Sequence, residues 1–420
     1  MPQNTPRTGV SDIFRRIHPA LRVHGSFPWF LVMFFLVFIP VQETPCTAHP
    51  LPPCMRKIPP NAGLLAVDAG GRILASRHAA DKYVPASTLK VLTALAALHY
   101  LGPTYRFRTD FYLTPTRDLL IKGYGDPFLI SEVLQDISKH IAGKLRSFRN
   151  LLLDETFFAP GIRIPGQGLS TNPYDAPPGA FCANFNTLFF TRDEQGHVLS
   201  AEPQTPMIPF AREKIDTLKE KSGRYTFSHE SGQAALYAGE LLSFFLRKNG
   251  IVMTGDVRPG NLKQGDKIIY SHSSPFTLED VIKKMFEFSN NFTANQLFLS
   301  MGAQVYGPPA TLQKGVRTVL GYAEKHLGLN NLEIAEGSGI SRKNRISPED
   351  MLTVLRRFRP YRSLLPREGP FLYKTGTLKG ISTRAGYIEH GADTAGYIVL
   401  FLKSGHPDTD GLVRCLERLF

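Results

Sequence analysis

Apolar residues recur at helical spacing from Val91 to Leu98, directly behind Val84-Pro85-Ala86-Ser87, and give out at Tyr100-Leu101-Gly102-Pro103. Proline and serine in front and a glycine–proline pair behind bound this stretch as one helix. Ahead of it, Leu64-Leu65-Ala66-Val67 and Arg72-Ile73-Leu74-Ala75 read as strands joined by the turn residues Asp68-Ala69-Gly70-Gly71. After residue 103 the pattern changes. Short strand-like runs at 107–113, 118–122 and 150–154 alternate with turns, a helical stretch spans 131–146, and a loop rich in proline and glycine fills 159–180. Helical spacing returns from Ala234 to Asn249, stopped by Gly250, then from Thr277 to Phe286 and from Phe292 to Gly302. Another helix runs from Ser347 to Phe358, opening on Ser347-Pro348-Glu349-Asp350. The chain closes with strand-like runs 371–375, 383–388 and 395–403 and a helix over 410–419.

Strands at both ends with helices between them predict an α+β fold, in which one antiparallel sheet draws on both chain ends and is flanked by helices. The main domain is expected over 58–103 and 232–420, interrupted by an inserted, mostly β domain over 104–231. Residues 46–57 form a proline-rich linker.

The first 45 residues have a different character. Arg7, Arg15, Arg16 and Arg22 stand against the single acid Asp12 before the uncharged run 27–41. A basic head and a short apolar core read as an export signal or membrane anchor, which puts the rest of the chain outside the cytoplasm. The expected location is periplasmic or otherwise extracytoplasmic. The formal charge of +13 fits attraction to an anionic membrane or wall polymer. Nucleic acid is a poor fit, because no aromatic-interleaved basic motif is present.

Candidate chemistry narrows the picture. Cys46, Cys54, Cys182 and Cys415 show no Cys-x-x-Cys spacing, and no His-Glu-x-x-His, Gly-x-Ser-x-Gly, Walker or dinucleotide motif occurs. Cys182 reads as a small buried residue, not a thiol nucleophile. Ser87-Thr88-Leu89-Lys90 is the one Ser-x-x-Lys of the chain. Residues i and i+3 share a helix face, so the Ser87 hydroxyl and the Lys90 amine can meet. A buried lysine kept neutral can take the serine proton, and a helix start offers N–H groups to developing negative charge. In chain order follow Ser289-Asn290-Asn291 and Lys374-Thr375-Gly376. A second Ser-x-Asn, Ser170-Thr171-Asn172, is set aside because Pro173 follows it in the Gly/Pro-rich loop.

Together the three motifs form the signature of penicillin-interacting serine enzymes. From about residue 60 onward the chain resembles the D-alanyl-D-alanine carboxypeptidases/endopeptidases of the penicillin-binding protein 4 type, peptidase family S13. The likeness includes Tyr105-Arg106-Phe107-Arg108-Thr109, Gly123-Tyr124-Gly125-Asp126-Pro127, Gly337-Ser338-Gly339-Ile340-Ser341-Arg342 and Lys374-Thr375-Gly376-Thr377-Leu378-Lys379-Gly380. The resemblance implies a penicillin-binding transpeptidase/β-lactamase-like domain with Ser87 as acylated nucleophile and Lys90 as general base. Ser289 would relay a proton to the leaving amine, and Asn291 would hold the substrate backbone and Lys90. Lys374 and Thr375 would bind the terminal carboxylate, Gly376 would leave room for it, and the N–H groups of Ser87 and Thr377 would form the oxyanion hole. Glu336 stands where the family more often has aspartate, and Asn295 where it has glutamate. The implied substrates are peptidoglycan stem peptides ending in D-Ala-D-Ala, with β-lactams as inhibitors and no metal or organic cofactor. The rival readings are a β-lactamase or esterase-like hydrolase and a catalytically inactive wall-binding scaffold.

Overall fold

The computed structural model describes residue 56 and residues 58–420, except 227, 392 and 404–407. The export or anchor segment 27–41 and most of the linker lie outside the described residues.

In chain order, β1 (Gly63–Asp68) and β2 (Ile73–Arg77) lead through a 3-10 turn at Ala86–Leu89 into α1 (Lys90–Tyr100). Next come β3 (Arg108–Leu113), β4 (Leu119–Gly123), α2 (Ser131–Ala142), β5 (Ser147–Phe148) and β6 (Leu151–Asp154). β7 (Leu188–Arg192), β8 (Val198–Ser200), α3 (Pro209–Asp216) and β9 (Ser222–Tyr225) precede α4 (Gln233–Lys248). β10 (Val252–Met253), β11 (Val257–Pro259) and β12 (Lys267–Ser273) follow. The helices α5 (Leu278–Glu287), α6 (Asn291–Tyr306), α7 (Leu312–Tyr322) and α8 (Pro348–Phe358) then return to β13 (Arg367–Glu368), β14 (Phe371–Leu378), β15 (Ile381–His390), β16 (Asp393–Lys403) and α9 (Thr409–Glu417).

Both chain ends meet in one antiparallel sheet ordered β13-β14-β15-β16-β1-β2, as the pattern predicts. β1 lies against β16 from Gly63 opposite Phe401 to Asp68 opposite Gly396. The run Leu64-Leu65-Ala66-Val67 has no polar alternation because both faces of the sheet are covered. Leu65 and Val67 join the main core with α1, α5, α6 and α8. Leu64 and Ala66 face the other way, onto Leu412, Val413 and Leu416 of α9. α1 and α6 are buried on nearly every side, which makes them the central posts of the main core.

A second core forms from residues between Phe111 and Ile251. Its sheet is ordered β11-β6-β4-β3-β12, with α2 and α4 packed on it and the small sheet β8-β7-β9 beside them. The expected boundary at residue 231 therefore falls too early. Ala235, Ala238, Leu241, Leu242, Phe245 and Leu246 of α4 bury their face in this second core. β12 pairs with β3 through Ser273 opposite Arg108. The local pattern carries no trace of a pairing between strands so distant in sequence.

Candidate active site

The Ser87 turn is built differently from an ordinary helix start. Ala86 has φ +49°, a left-handed conformation that costs a non-glycine residue about 1 kcal/mol or more. Ser87 occupies the following 3-10 turn, and the α-helix proper begins at Lys90. Ser87 makes no capping bond there, and Thr88 Oγ1 ties the turn back to the Pro85 carbonyl at 2.7 Å. Thr383 on β15 donates to the same carbonyl at 2.8 Å. The turn is thus clamped between helix and sheet, with the Ser87 side chain half-buried.

Lys90 is fully buried. Its Nζ lies 2.9 Å from Ser87 Oγ, 2.7 Å from Asn291 Oδ1 and 2.8 Å from the Ser338 carbonyl oxygen. A neutral amine has two N–H groups for the two carbonyl oxygens and one lone pair for the serine hydroxyl. Burial is the main force holding the Lys90 amine well below its ordinary lysine value, and the nearby Lys374 ammonium pushes the same way.

Ser289 and Asn291 stand at the junction of α5 and α6. The capping box of Thr277 and Asp280 starts α5, and Asn290 caps α6 by accepting from Thr293 N at 2.8 Å. Between the two helices Ser289 has φ +50°. Ser87, Ser289, Asn291 and Thr377 line one cleft of about 920 Å³, with Tyr174, Asp175, Phe288 and Arg342 around them.

Lys374 and Thr375 are not in that lining. Lys374 is 2% exposed, its Nζ donating to the Thr375 carbonyl at 2.8 Å. Burial first, and then Arg384, lowers its ammonium to about 8. β14 also runs close to the serine turn: a Cβ on Gly376 would lie 2.8 Å from Ser87 N. β13 pairs with β14 at Phe371 and Leu372, and among the described residues Lys374–Leu378 has no strand neighbour on that side.

The loop 166–175 is the part of the site that pattern reading missed. Gly168, Tyr174 and Asp175 border the cleft, and Asn291 Nδ2 donates to the Tyr174 carbonyl at 3.3 Å. Its richness in proline and glycine marks a loop, but nothing local places that loop against residues more than a hundred positions away. The set-aside pair is spent within this loop. Ser170 Oγ donates to Asp175 at 2.5 Å, and Asn172 Nδ2 to Ser170 Oγ at 2.8 Å. Cys182 is buried and free, its thiol pushed well up by burial, while Cys415 is disulfide-bonded.

Against known proteins, the model of the D-Ala-D-Ala carboxypeptidase 3 (S13) family matches residues 60–225 and 217–364. The chain belongs to this family. It is 26% identical over 344 residues to the D-alanyl-D-alanine carboxypeptidase DacB of Haemophilus influenzae, covering 70% of each protein. It is 25% identical over 412 residues to the D-alanyl-D-alanine carboxypeptidase of an Actinomadura species, covering 78% of this chain and 75% of that one. The crystal structure of penicillin binding protein 4 from Haemophilus influenzae superposes with a TM-score of 0.72 at 23% identity, over 87% of this chain and 97% of that one. The fold is accordingly the penicillin-binding, β-lactamase-like one with an additional domain. As a member of the S13 family, the chain is a serine-type D-Ala-D-Ala carboxypeptidase.

Proposed function

We propose that this S13 peptidase works through an acyl-enzyme on Ser87, with Lys90 as the base. The observation that carries the proposal is the neutral-favouring burial of Lys90 with its Nζ 2.9 Å from Ser87 Oγ. Lys90 takes the hydroxyl proton as Ser87 Oγ attacks the carbonyl carbon of the penultimate D-alanine of a peptidoglycan stem peptide. The developing oxyanion lies against the backbone N–H groups of Ser87 and Thr377. The C–N bond breaks, and the proton reaches the departing D-alanine amine through Lys90 and Ser289. Water then cleaves the Ser87 ester, giving its second proton back to the serine. Asn291 holds Lys90 and the substrate backbone. Thr375 and Thr377 take the terminal carboxylate, and Lys374 supplies positive charge from beneath.

The same acylation on a D-Ala-to-diamino-acid bridge is an endopeptidase step, and β-lactams acylate Ser87 because their ring amide occupies the same place. The substrate sets the location outside the cytoplasm, with residues 27–41 exporting or anchoring the chain.

The proposal is tested on a stem pentapeptide ending in D-Ala-D-Ala and on a cross-linked dimer. D-alanine release from the pentapeptide by wild type, lost in Ser87→Ala and Lys90→Ala, supports it. Rapid hydrolysis of free penicillin without peptide cleavage would favour a β-lactamase, and a folded protein inert to both would favour a scaffold.

A further inference from the structure

Beside Lys90, the chain folds a tight loop around one carboxylate. Glu336 is fully buried, and no cation lies within ion-pairing distance among the described residues. Its two oxygens instead accept from donors on every side. Oε2 receives Ser338 N at 2.7 Å, Ser338 Oγ at 2.6 Å and Asn295 Nδ2 at 3.2 Å. Oε1 receives Gly339 N at 2.7 Å, Asn344 Nδ2 at 2.7 Å and Ser341 N at 3.3 Å. Unpaired burial of a carboxylate is very costly, so such a group persists only when its hydrogen bonds are this complete.

The loop held this way touches the catalytic helix at successive positions. The Gly337 carbonyl accepts from Thr93 Oγ1 at 2.6 Å, and the Ser338 carbonyl accepts from Lys90 Nζ at 2.8 Å. Gly339, at φ +86°, passes so near the serine turn that an added Cβ would lie 1.8 Å from the Ala86 carbonyl oxygen. Asn295 on α6 completes the frame: its Oδ1 accepts from Gly337 N at 2.9 Å while its Nδ2 donates to Glu336. α6 also carries Asn291, the other carbonyl partner of Lys90.

We infer that Glu336 is a positioning residue for the reaction: its carboxylate folds the 336–341 loop so that the Ser338 carbonyl fixes one N–H of the Lys90 amine and leaves the lone pair aimed at Ser87. This inference rests on the Ser87–Lys90 reading above. A second effect is electrostatic. The charged groups facing Lys90 are Lys374 from β14 and Glu336 from this loop, and they oppose one another. Lys374 disfavours the ammonium form and Glu336 favours it, so Glu336 keeps Lys90 basic enough to accept the serine proton. Orientation and basicity thus come from one carboxylate.

The test is acylation by a fluorescent penicillin, followed against pH in the full-length protein. Wild type, Glu336→Gln and Glu336→Asp are compared for two numbers, the fraction of molecules labelled and the rate constant per labelled site. In Glu336→Gln the amide NH₂ faces N–H donors and the charge is gone. The rate constant should fall about 10- to 100-fold from misaimed reactants, and its acid limb should move to lower pH. Glu336→Asp keeps the charge on a shorter arm, so its acid limb should stay in place while its rate constant falls. A merely structural role would lower the labelled fraction and leave the rate constant and acid limb as in wild type. That result, in either variant, overturns the inference; if Glu336→Gln yields no folded protein, Glu336→Asp decides it on the same two numbers. Failure of wild type itself to label at Ser87 would instead overturn the Ser87–Lys90 reading.

Discussion

Lys374 puts an ammonium where almost no water reaches it, and its lowered value of about 8 has consequences of two kinds. For folding, the unfolded chain holds this proton up to its ordinary 10.5 while the folded chain releases it near 8. Between those values the unfolded state binds more protons, so this group makes stability rise with pH across the window and opposes folding below it. For substrate, the sign is reversed. A terminal carboxylate gains from the charged form, so stem-peptide KM should climb as pH passes about 8. Lys374→Ala removes this positive charge, so it should raise KM by about 10-fold and abolish that climb. A steady-state pH series on both proteins checks it. An unchanged KM in the variant would show that the carboxylate binds elsewhere.

At the scale of elements, the site depends on close approaches that only glycine permits. Gly376 brings β14 against the serine turn, where a Cβ would lie 2.3 Å from Thr383 Oγ1 and 2.8 Å from Ser87 N. Gly376→Ala must push the strand or the turn aside, and penicillin acylation should fall about 100-fold or more. Helix caps behave differently. Ser347 accepts from Asp350 N at 3.0 Å and receives nothing from the cleft, so Ser347→Ala should cost about 1 kcal/mol in denaturant unfolding and leave the acylation rate alone. These caps were legible in the sequence because their signals are local. The α1, α5 and α8 helices, the α5–α6 junction and the sheet from both chain ends could all be read from spacing, caps and turns. The fold brings Ser87, Ser289, Asn291 and Thr377 to one cleft, with Lys90 against Ser87 and Asn291. What could not be read is contact over long separation: β12 beside β3, α4 in the second core, the 166–175 loop at the cleft, and the six-donor carboxylate of Glu336. The left-handed backbone at Ala86 and Ser289 was equally hidden, because neither residue type advertises a positive φ.

Across the whole molecule, the two cores are joined beside α6. Gln296, one turn beyond Asn291, donates to the Gly125 carbonyl at 3.2 Å and the Gly179 carbonyl at 2.9 Å, and accepts from Gly179 N at 3.3 Å. Next to Gly125, the Asp126 carboxyl is 3% exposed; one oxygen accepts from Phe128 N at 2.8 Å and the other has no partner among the described residues. Burial raises it to about 6 from an ordinary 3.8. Between those values the folded chain holds the proton that the unfolded chain has released, so this residue makes stability fall as pH rises from about 4 to about 6. Asp126→Asn should flatten that part of a Tm-against-pH curve, and an identical curve would assign the slope to other groups. The central claim is that these cores hold Ser87 against Lys90, whose amine burial biases toward the neutral form. Its most direct measurement is intact mass after penicillin treatment of wild type, Ser87→Ala and Lys90→Ala, with peptide mapping of the adduct. The account predicts one penicilloyl group on Ser87, none in Ser87→Ala, and greatly slowed labelling in Lys90→Ala. An adduct on any other residue, or undiminished labelling without Lys90, would contradict it.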